Sequence, residues 1–417
     1  MTKQRRTSVW IRCAGLVVWI GTTGIGCKAT SLAIGSNDAG AGTICQAGFH
    51  PAPFPAVLAT SHAVTSGDLN GDHVPDLIVS GIPSSPSIGV SVLLGHGDGT
   101  FAPRVSYPTM GGWSIAVDDF NRDGRLDVAF ADEFGGGVVV MLGLGGGALG
   151  VPVKFPVGDT VFTVKAADVN ADDVVDLLVV SHMNVPDTAG RVTVLLGLGD
   201  GYFKSGESYP SGLGLAVADL DGDGKLDLAT ATPDGASVLL GSGDGTFAPP
   251  TLFPGIVAAD EIALGDLNAD GRPDLAVVET QTNRIAVFLN AGDGTLGRPR
   301  EFAAFLSPTN VTIGDLDGDG RPELVTVNSQ TSDVGILPGN GDGSFRPQQS
   351  LDIGTGTLGF VDWDNLPTPP CGAGTPCSDG APTSIVIDDL NGDQRPDLAI
   401  TRILGERVSV LLNGCSR

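Results

Sequence analysis

Positive charge is what this sequence has least of. Against 48 Asp and Glu there are 23 Lys and Arg, a formal net charge of −25. Nucleic acid is thereby excluded as a partner, because phosphate recognition needs clustered cations. Aromatic residues make up only 6% of the chain and charged residues 17%. The long Leu/Glu/Lys/Ala-rich stretches of 3.6-residue period that mark helices are missing. The five histidines, His50, His62, His73, His96 and His182, stand in no Ser–His–Asp or Cys–His pattern, and there is no phosphate-binding loop. No catalytic residue is assigned.

What is present instead is Gly, 62 residues of it, and short apolar runs such as VSVLLG (90–95), VTVLLG (192–197) and ASVLLG (236–241), bounded by Gly and Asp. Such runs between turn residues read as strands, and the fold class is all-β. The acids fall in clusters. GDLNGDHVPD (67–76), DDFNRDGRLD (118–127), ADVNADDVVD (167–176), ADLDGDGKLD (218–227), GDLNADGRPD (265–274), GDLDGDGRPE (314–323) and DDLNGDQRPD (388–397) are one motif written seven times. Their leading Asp residues lie at 68, 119, 168, 219, 266, 315 and 389, a period of roughly 50 with one insertion before the last.

Each unit reads as four strands. In the second, SIAVDD (114–119) enters the Asp loop, LDVAF (126–130) leaves it, and VVVMLG (138–143) and PVKFPV (152–157) follow. A second turn, GxGDGxF, joins third and fourth strands, as in GHGDGTF (95–101), GLGDGYF (197–203), GSGDGTF (241–247) and GNGDGSF (339–345); GLGGGAL (143–149) lacks its Asp. Four short strands per repeat predict a propeller blade, and seven repeats a seven-bladed β-propeller. The seventh unit stops after its third strand, VSVLL (408–412), while FHPAPFPAV (49–57) resembles the fourth strands FAPRVSYP (101–108) and FAPPTLFP (247–254). The N-terminal segment is therefore expected to complete blade seven, leaving no open edge at the junction.

Positions one, three, five and nine of each loop offer side-chain oxygens, and position seven a backbone carbonyl. An oxygen-only set suits calcium, which takes six to eight oxygen ligands; no His or Cys in these positions points to zinc or copper. The expected ligands are Asp68, Asn70, Asp72 and Asp76 in the first loop, Asp119, Asn121, Asp123 and Asp127 in the second, and Asp168, Asn170, Asp172 and Asp176 in the third. Asp219, Asp221, Asp223 and Asp227 serve the fourth, Asp266, Asn268, Asp270 and Asp274 the fifth, Asp315, Asp317, Asp319 and Glu323 the sixth, and Asp389, Asn391, Asp393 and Asp397 the seventh. Up to seven Ca2+ sites follow. Those led by Asp119, Asp219, Asp266 and Asp315 are expected to be strongest, because they keep Gly at position six where the others carry His73, Asp173 and Gln394. The alternative is a set of metal-free Asx-rich turns. Seven divalent ions would cancel fourteen of the twenty-five net negative charges.

On these loops and their spacing the repeat resembles the FG-GAP/VCBS family, including the propeller of integrin α subunits, over about residues 46–415. The resemblance implies structural calcium between the first and second strands of each blade. It does not carry adhesion with it, because one fold hosts many functions.

Residues 1–26 are expected to be an export signal: Lys3, Arg5 and Arg6 open it, a largely apolar Val9–Ile25 follows, and Gly24-Ile25-Gly26-Cys27 resembles the bacterial lipoprotein cleavage box, with Gly24 where that family has Leu. Cys27 would then be lipidated, residues 27–44 a tether and 45–417 the propeller. Four cysteines remain, Cys45, Cys371, Cys377 and Cys415. Three pairings are open; proximity favours Cys371–Cys377, leaving Cys45–Cys415 across the seam. The function read from this is a calcium-stabilised, membrane-anchored, monomeric binding module at the bacterial envelope or cell surface. Its variable loops (80–89, 131–137, 181–191, 354–383), opposite the Asp loops, would meet a protein or glycan ligand. A lectin is the second reading and a propeller hydrolase or lyase the third. Trp113 and Trp363 either form an aromatic platform or pack over the blade ends.

Overall fold

The computed structural model describes residues 49–52, 61–81, 89–109, 111–132, 135–158, 160–182, 190–353, 360–361, 381–402 and 408–414, with short backbone segments at 12–13 and 16–17. Among the described residues there is no helix, and so none long and apolar enough to cross a membrane. The strands form seven antiparallel blades of four strands each. Blade one runs Ser61–Gly67, Asp76–Gly81, Val90–Leu93 and Val105–Tyr107, in that spatial order. The first strands of blades two to seven are Ile115–Asp118, Thr160–Ala167, Gly214–Ala218, Ala259–Gly265, Pro308–Gly314 and Pro382–Asp388.

Each first strand touches the first strand of the next blade, and that of blade seven touches that of blade one, so the seven surround a common axis. The second strands explain why the units stack. Asp76–Gly81, Asp127–Asp132 and Asp397–Arg402 are buried at every residue, as a strand covered on both sheet faces must be. Seven apolar clusters result, one for each blade interface. The cluster at the seam joins Leu77, Val79 and Leu93 of blade one to Val386, Ala399 and Val410 of blade seven.

Closure is as expected. Phe49–Pro51 pairs with Ser409–Asn413 in the register Phe49↔Asn413, His50↔Leu412 and Pro51↔Leu411, and the Ala52 N–H donates to the Val410 carbonyl at 3.0 Å. The strand is shorter than the expected 49–57; residues 53–60 lie outside the described set. Two details differ from the four-strand reading. Phe360–Val361, expected in a loop, pairs outside Gln349–Asp352 and gives blade six a fifth strand. The GLGGGAL turn of blade two becomes a separate small hairpin of Gly143–Gly145 with Ala148–Leu149.

Candidate metal loops

Each Asp loop links the first and second strands of its blade, and its own hydrogen bonds shape it. In the first loop Asp68 accepts the N–H groups of Gly71, Asp72 and His73 at 2.7, 3.0 and 2.8 Å, Asn70 accepts that of Asp72 at 2.8 Å, and Asp72 accepts that of Val74 at 2.9 Å. This Asx network recurs in the other loops. It requires a left-handed residue at position six, as the sequence indicated. Gly124, Gly224, Gly271 and Gly320 supply it freely, whereas His73, Asp173 and Gln394 hold φ of 67°, 65° and 65°. A side chain at position six meets no steric obstacle, since a Cβ on Gly124 or Gly224 would touch nothing within 4 Å. The cost is in the backbone alone, about 1–2 kcal/mol per residue.

A second left-handed position escaped the sequence reading. Position four is Gly71, Gly222, Gly318 and Gly392 in four loops but Arg122, Ala171 and Ala269 in the others, at φ of 61°, 57° and 61°. The fourth and sixth loops alone have Gly at both positions, and the third has it at neither. The same two loops bring three acids together: Asp219, Asp221 and Asp227, and Asp315, Asp317 and Glu323, each set with one oxygen per residue within 4.8 Å of the others. The loops led by Asp119 and Asp266 carry Asn121 and Asn268 at position three. Geometry thus divides the four loops that position six alone had grouped.

Position nine does more than offer an oxygen. Asp227 is fully buried; its carboxylate accepts the Leu220 N–H at 2.8 Å on one oxygen and the Gly241 N–H, from the end of the third strand, at 2.7 Å on the other. Asp76, Asp127, Asp176, Asp274 and Asp397 repeat this staple. Burial pushes these carboxyls up, with Asp127, Asp176 and Asp274 at about 6, Asp397 at about 7 and Glu323 at about 8. The backbone donors oppose the shift, and repulsion from the acids at positions one, three and five adds to it. Position five faces outward instead. Asp123, Asp223, Asp270 and Asp319 pair with Arg125, Lys225, Arg272 and Arg321, two residues on, at 2.6–2.7 Å. Asp223 is held below the usual carboxylate range by Lys225, and Asp72 by the Val74 N–H and the Asn70 amide.

The loops are also tied to the next blade. The second Gly of each GDG-type turn donates its N–H to the position-two carbonyl of the preceding blade: Gly147 to Leu69, Gly201 to Phe120, Gly245 to Val169, Gly294 to Leu220 and Gly343 to Leu267, at 2.9–3.3 Å. Gly99 of blade one donates to Leu390 of blade seven at 3.2 Å, across the seam. In blade seven the Asn413 side-chain amide reaches the Leu316 carbonyl of blade six at 2.7 Å, as the Asn290 amide of blade five reaches the Leu220 carbonyl at 2.9 Å beside the Gly294 bond. An oxygen-only donor set, three converging acids in the fourth and sixth loops, and carboxyls raised by burial with repulsion from neighbouring acids adding to it, fit a hard divalent cation such as calcium.

Of the other expected site residues, Trp113 is 38% exposed and its ring lies 4.0 Å from that of His62, edge to face. It therefore both packs and remains accessible. Trp363, Cys27, Cys45, Cys371, Cys377 and Cys415 lie outside the described residues. The Phe49↔Asn413 register brings the chain to within a few residues of Cys45 and Cys415 at the same end of one strand pair.

A comparison with curated proteins gives no significant match. Solved structures share the fold at low identity. An Agrocybe aegerita lectin, described as recognising non-reducing terminal N-acetylglucosamine, is 21% identical, covering 74% of this chain and 87% of that one at a TM-score of 0.50. BBS1N in complex with ARL6DN is 11% identical, with 87% and 96% covered at 0.56. A catalytically inactive virginiamycin B lyase from Staphylococcus aureus, crystallised with quinupristin, is 12% identical, with 87% and 99% covered at 0.52. The FG-GAP-like repeat family matches residues 68–130, 119–179, 219–277 and 266–326, each span running from the first Asp of one loop through the second strand of the next blade. Together these spans cover more than half of the chain, which belongs to the FG-GAP-like repeat family and folds as a seven-bladed β-propeller.

Proposed function

We propose that this propeller is an exported binding module, anchored through Cys27, whose Asp loops hold structural calcium and whose opposite face meets a protein or glycan ligand. Bound calcium supplies positive charge that relieves the repulsion among the acids of one loop. The observation carrying the reading is the division of labour between the two faces. On one, six of the seven loops are stapled to their own third strand through an Asp at position nine, and every loop is tied to a neighbouring blade through its position-two carbonyl. That face is committed to holding the ring together. The connections between second and third strands and between blades lie on the other, free to differ from blade to blade on a rigid support.

A lectin is the second reading, favoured by the exposed ring of Trp113 and by the fold shared with the Agrocybe aegerita lectin. A lyase or hydrolase ranks third: one similar structure is a lyase, but no catalytic constellation is evident among the described residues of this chain. The first reading is tested by thermal unfolding with excess calcium and then with chelator, and by pull-down from the native envelope. A midpoint indifferent to calcium refutes the metal assignment; an envelope that yields no partner and a glycan array with no binding refute the module.

A further inference from the structure

Four first strands carry a β-bulge at one place, the sixth residue before the leading Asp of the loop. The extra residue is His62 in blade one, Phe162 in blade three, Thr309 in blade six and Thr383 in blade seven. In blade five a register shift at the same level takes in Asp260 and Glu261. In blades two and four the position falls on Trp113 and Leu213, just before the strand begins. A bulge turns a side chain out of the alternation of the ladder and is frequent beside binding sites.

Because the first strands surround the axis, these positions form one ring at the channel mouth, on the face away from the Asp loops. Contacts at this level join neighbouring blades. The Thr383 hydroxyl donates to the Ser61 carbonyl at 3.2 Å, His62 and Trp113 lie 4.0 Å apart, and the Thr163 hydroxyl donates to the Leu213 carbonyl at 3.2 Å. A Cβ on Gly214 would come within 3.0 Å of the Glu261 Cα, so blades four and five are equally close here.

The ring divides by chemistry. Trp113, Phe162 and Leu213, on blades two to four, form an apolar arc, with Trp113 and Leu213 exposed and Phe162 half-buried. Asp260, Glu261, Thr309 and Thr383, on blades five to seven, are all half-buried and form a polar arc. Burial raises the Glu261 carboxyl, and Lys165 of blade three opposes the shift. An electrostatic partner two blades away is what a carboxyl facing the axis would have. His62, at 4% exposure, has an Nδ1 without a partner beneath Trp113, and a buried unsatisfied nitrogen calls for an explanation.

We propose that this mouth binds a carbohydrate residue, its C–H face stacked on the Trp113–Phe162–Leu213 arc and its hydroxyls bonded to Asp260, Glu261, Thr309 and Thr383. Sugars combine an apolar ring face with a rim of hydroxyls, which matches an aromatic arc opposed to carboxylates and threonines. A protein partner needs a broader surface than one side chain per blade around an axis. The inference rests on the binding-module reading and gives it a location and a ligand class.

The test is ligand-observed NMR on the full chain with calcium, using methyl glycosides of glucose, galactose, mannose and N-acetylglucosamine at millimolar concentration. At least one glycoside should bind. Phe162→Ala, Leu213→Ala and Glu261→Gln should each weaken it about tenfold or more, as loss of roughly 1.4 kcal/mol implies, at an unchanged melting midpoint. Leu144→Ala, on the opposite rim, should leave affinity unaltered. Binding that ignores all three mouth variants overturns the location while sparing the module. Failure of every glycoside overturns the carbohydrate inference, and the envelope pull-down then decides the module separately.

Discussion

Replacing Asp227 separates a structural role from a metal-binding one. Its carboxylate holds two buried backbone N–H groups, of Leu220 and Gly241, at 2.8 and 2.7 Å, and the residue has no solvent exposure. Asp227→Ala strands both donors. Each unsatisfied buried donor costs about 1–3 kcal/mol, so the loss should be about 2–6 kcal/mol. Asp227→Asn keeps one acceptor but sets an NH2 group against the other N–H, and should lose roughly half as much. The assay is urea unfolding at neutral pH in excess chelator, read as a midpoint shift at constant slope. Because no calcium is present, a residue acting only as a metal ligand would show no effect. If both variants unfold in chelator at the wild-type midpoint and lose only the increment added by calcium, the staple argument is wrong.

Asp223→Ala should reduce calcium-dependent stabilisation more than Asp172→Ala, since the fourth loop has Gly at both left-handed positions and the third has Ala171 and Asp173 there; calorimetric titration of each variant checks it. Burial holds the His62 pKa at about 4, below its ordinary 6.5. The unfolded chain therefore takes up the proton first, and stability should fall as pH drops from about 6.5 to 4, by up to about 3 kcal/mol. His62→Phe, at constant excess calcium, should flatten that part of the pH–stability curve; an unchanged slope refutes the assignment. Non-reducing peptide mapping should recover a Cys45–Cys415 peptide, and a Cys45–Cys371 or Cys45–Cys377 peptide would overturn the proposed seam bond. Replacing Asn413 by Ala removes the amide that bonds the Leu316 carbonyl of the neighbouring blade, and should destabilise the ring by about 1–3 kcal/mol in a melt.

Much of the architecture was legible in the chain because each blade is local. Strand, Asp loop, strand and turn follow one another within about fifty residues, and their turn chemistry repeats. The number of blades, the loop face and the closing strand at Phe49 all came from that repetition. Position six was legible too, because Gly occupies it in four loops. Position four carried the same signal in Gly71, Gly222, Gly318 and Gly392, hidden by Arg122, Ala171 and Ala269, which accept the strained conformation. Contacts between blades were not legible. That Gly99 bonds Leu390 across the seam, and that the Asn413 amide reaches Leu316 of the preceding blade, are consequences of stacking. So is the ring of His62, Trp113, Phe162 and their counterparts at the axis. The sequence by itself determined the repeat and its local turns, since those depend on neighbours a few residues apart. Only the tertiary structure decided which groups bond across the blade interfaces and which side chains share the axis, because those distances are set by blades far apart in the chain packing around one centre.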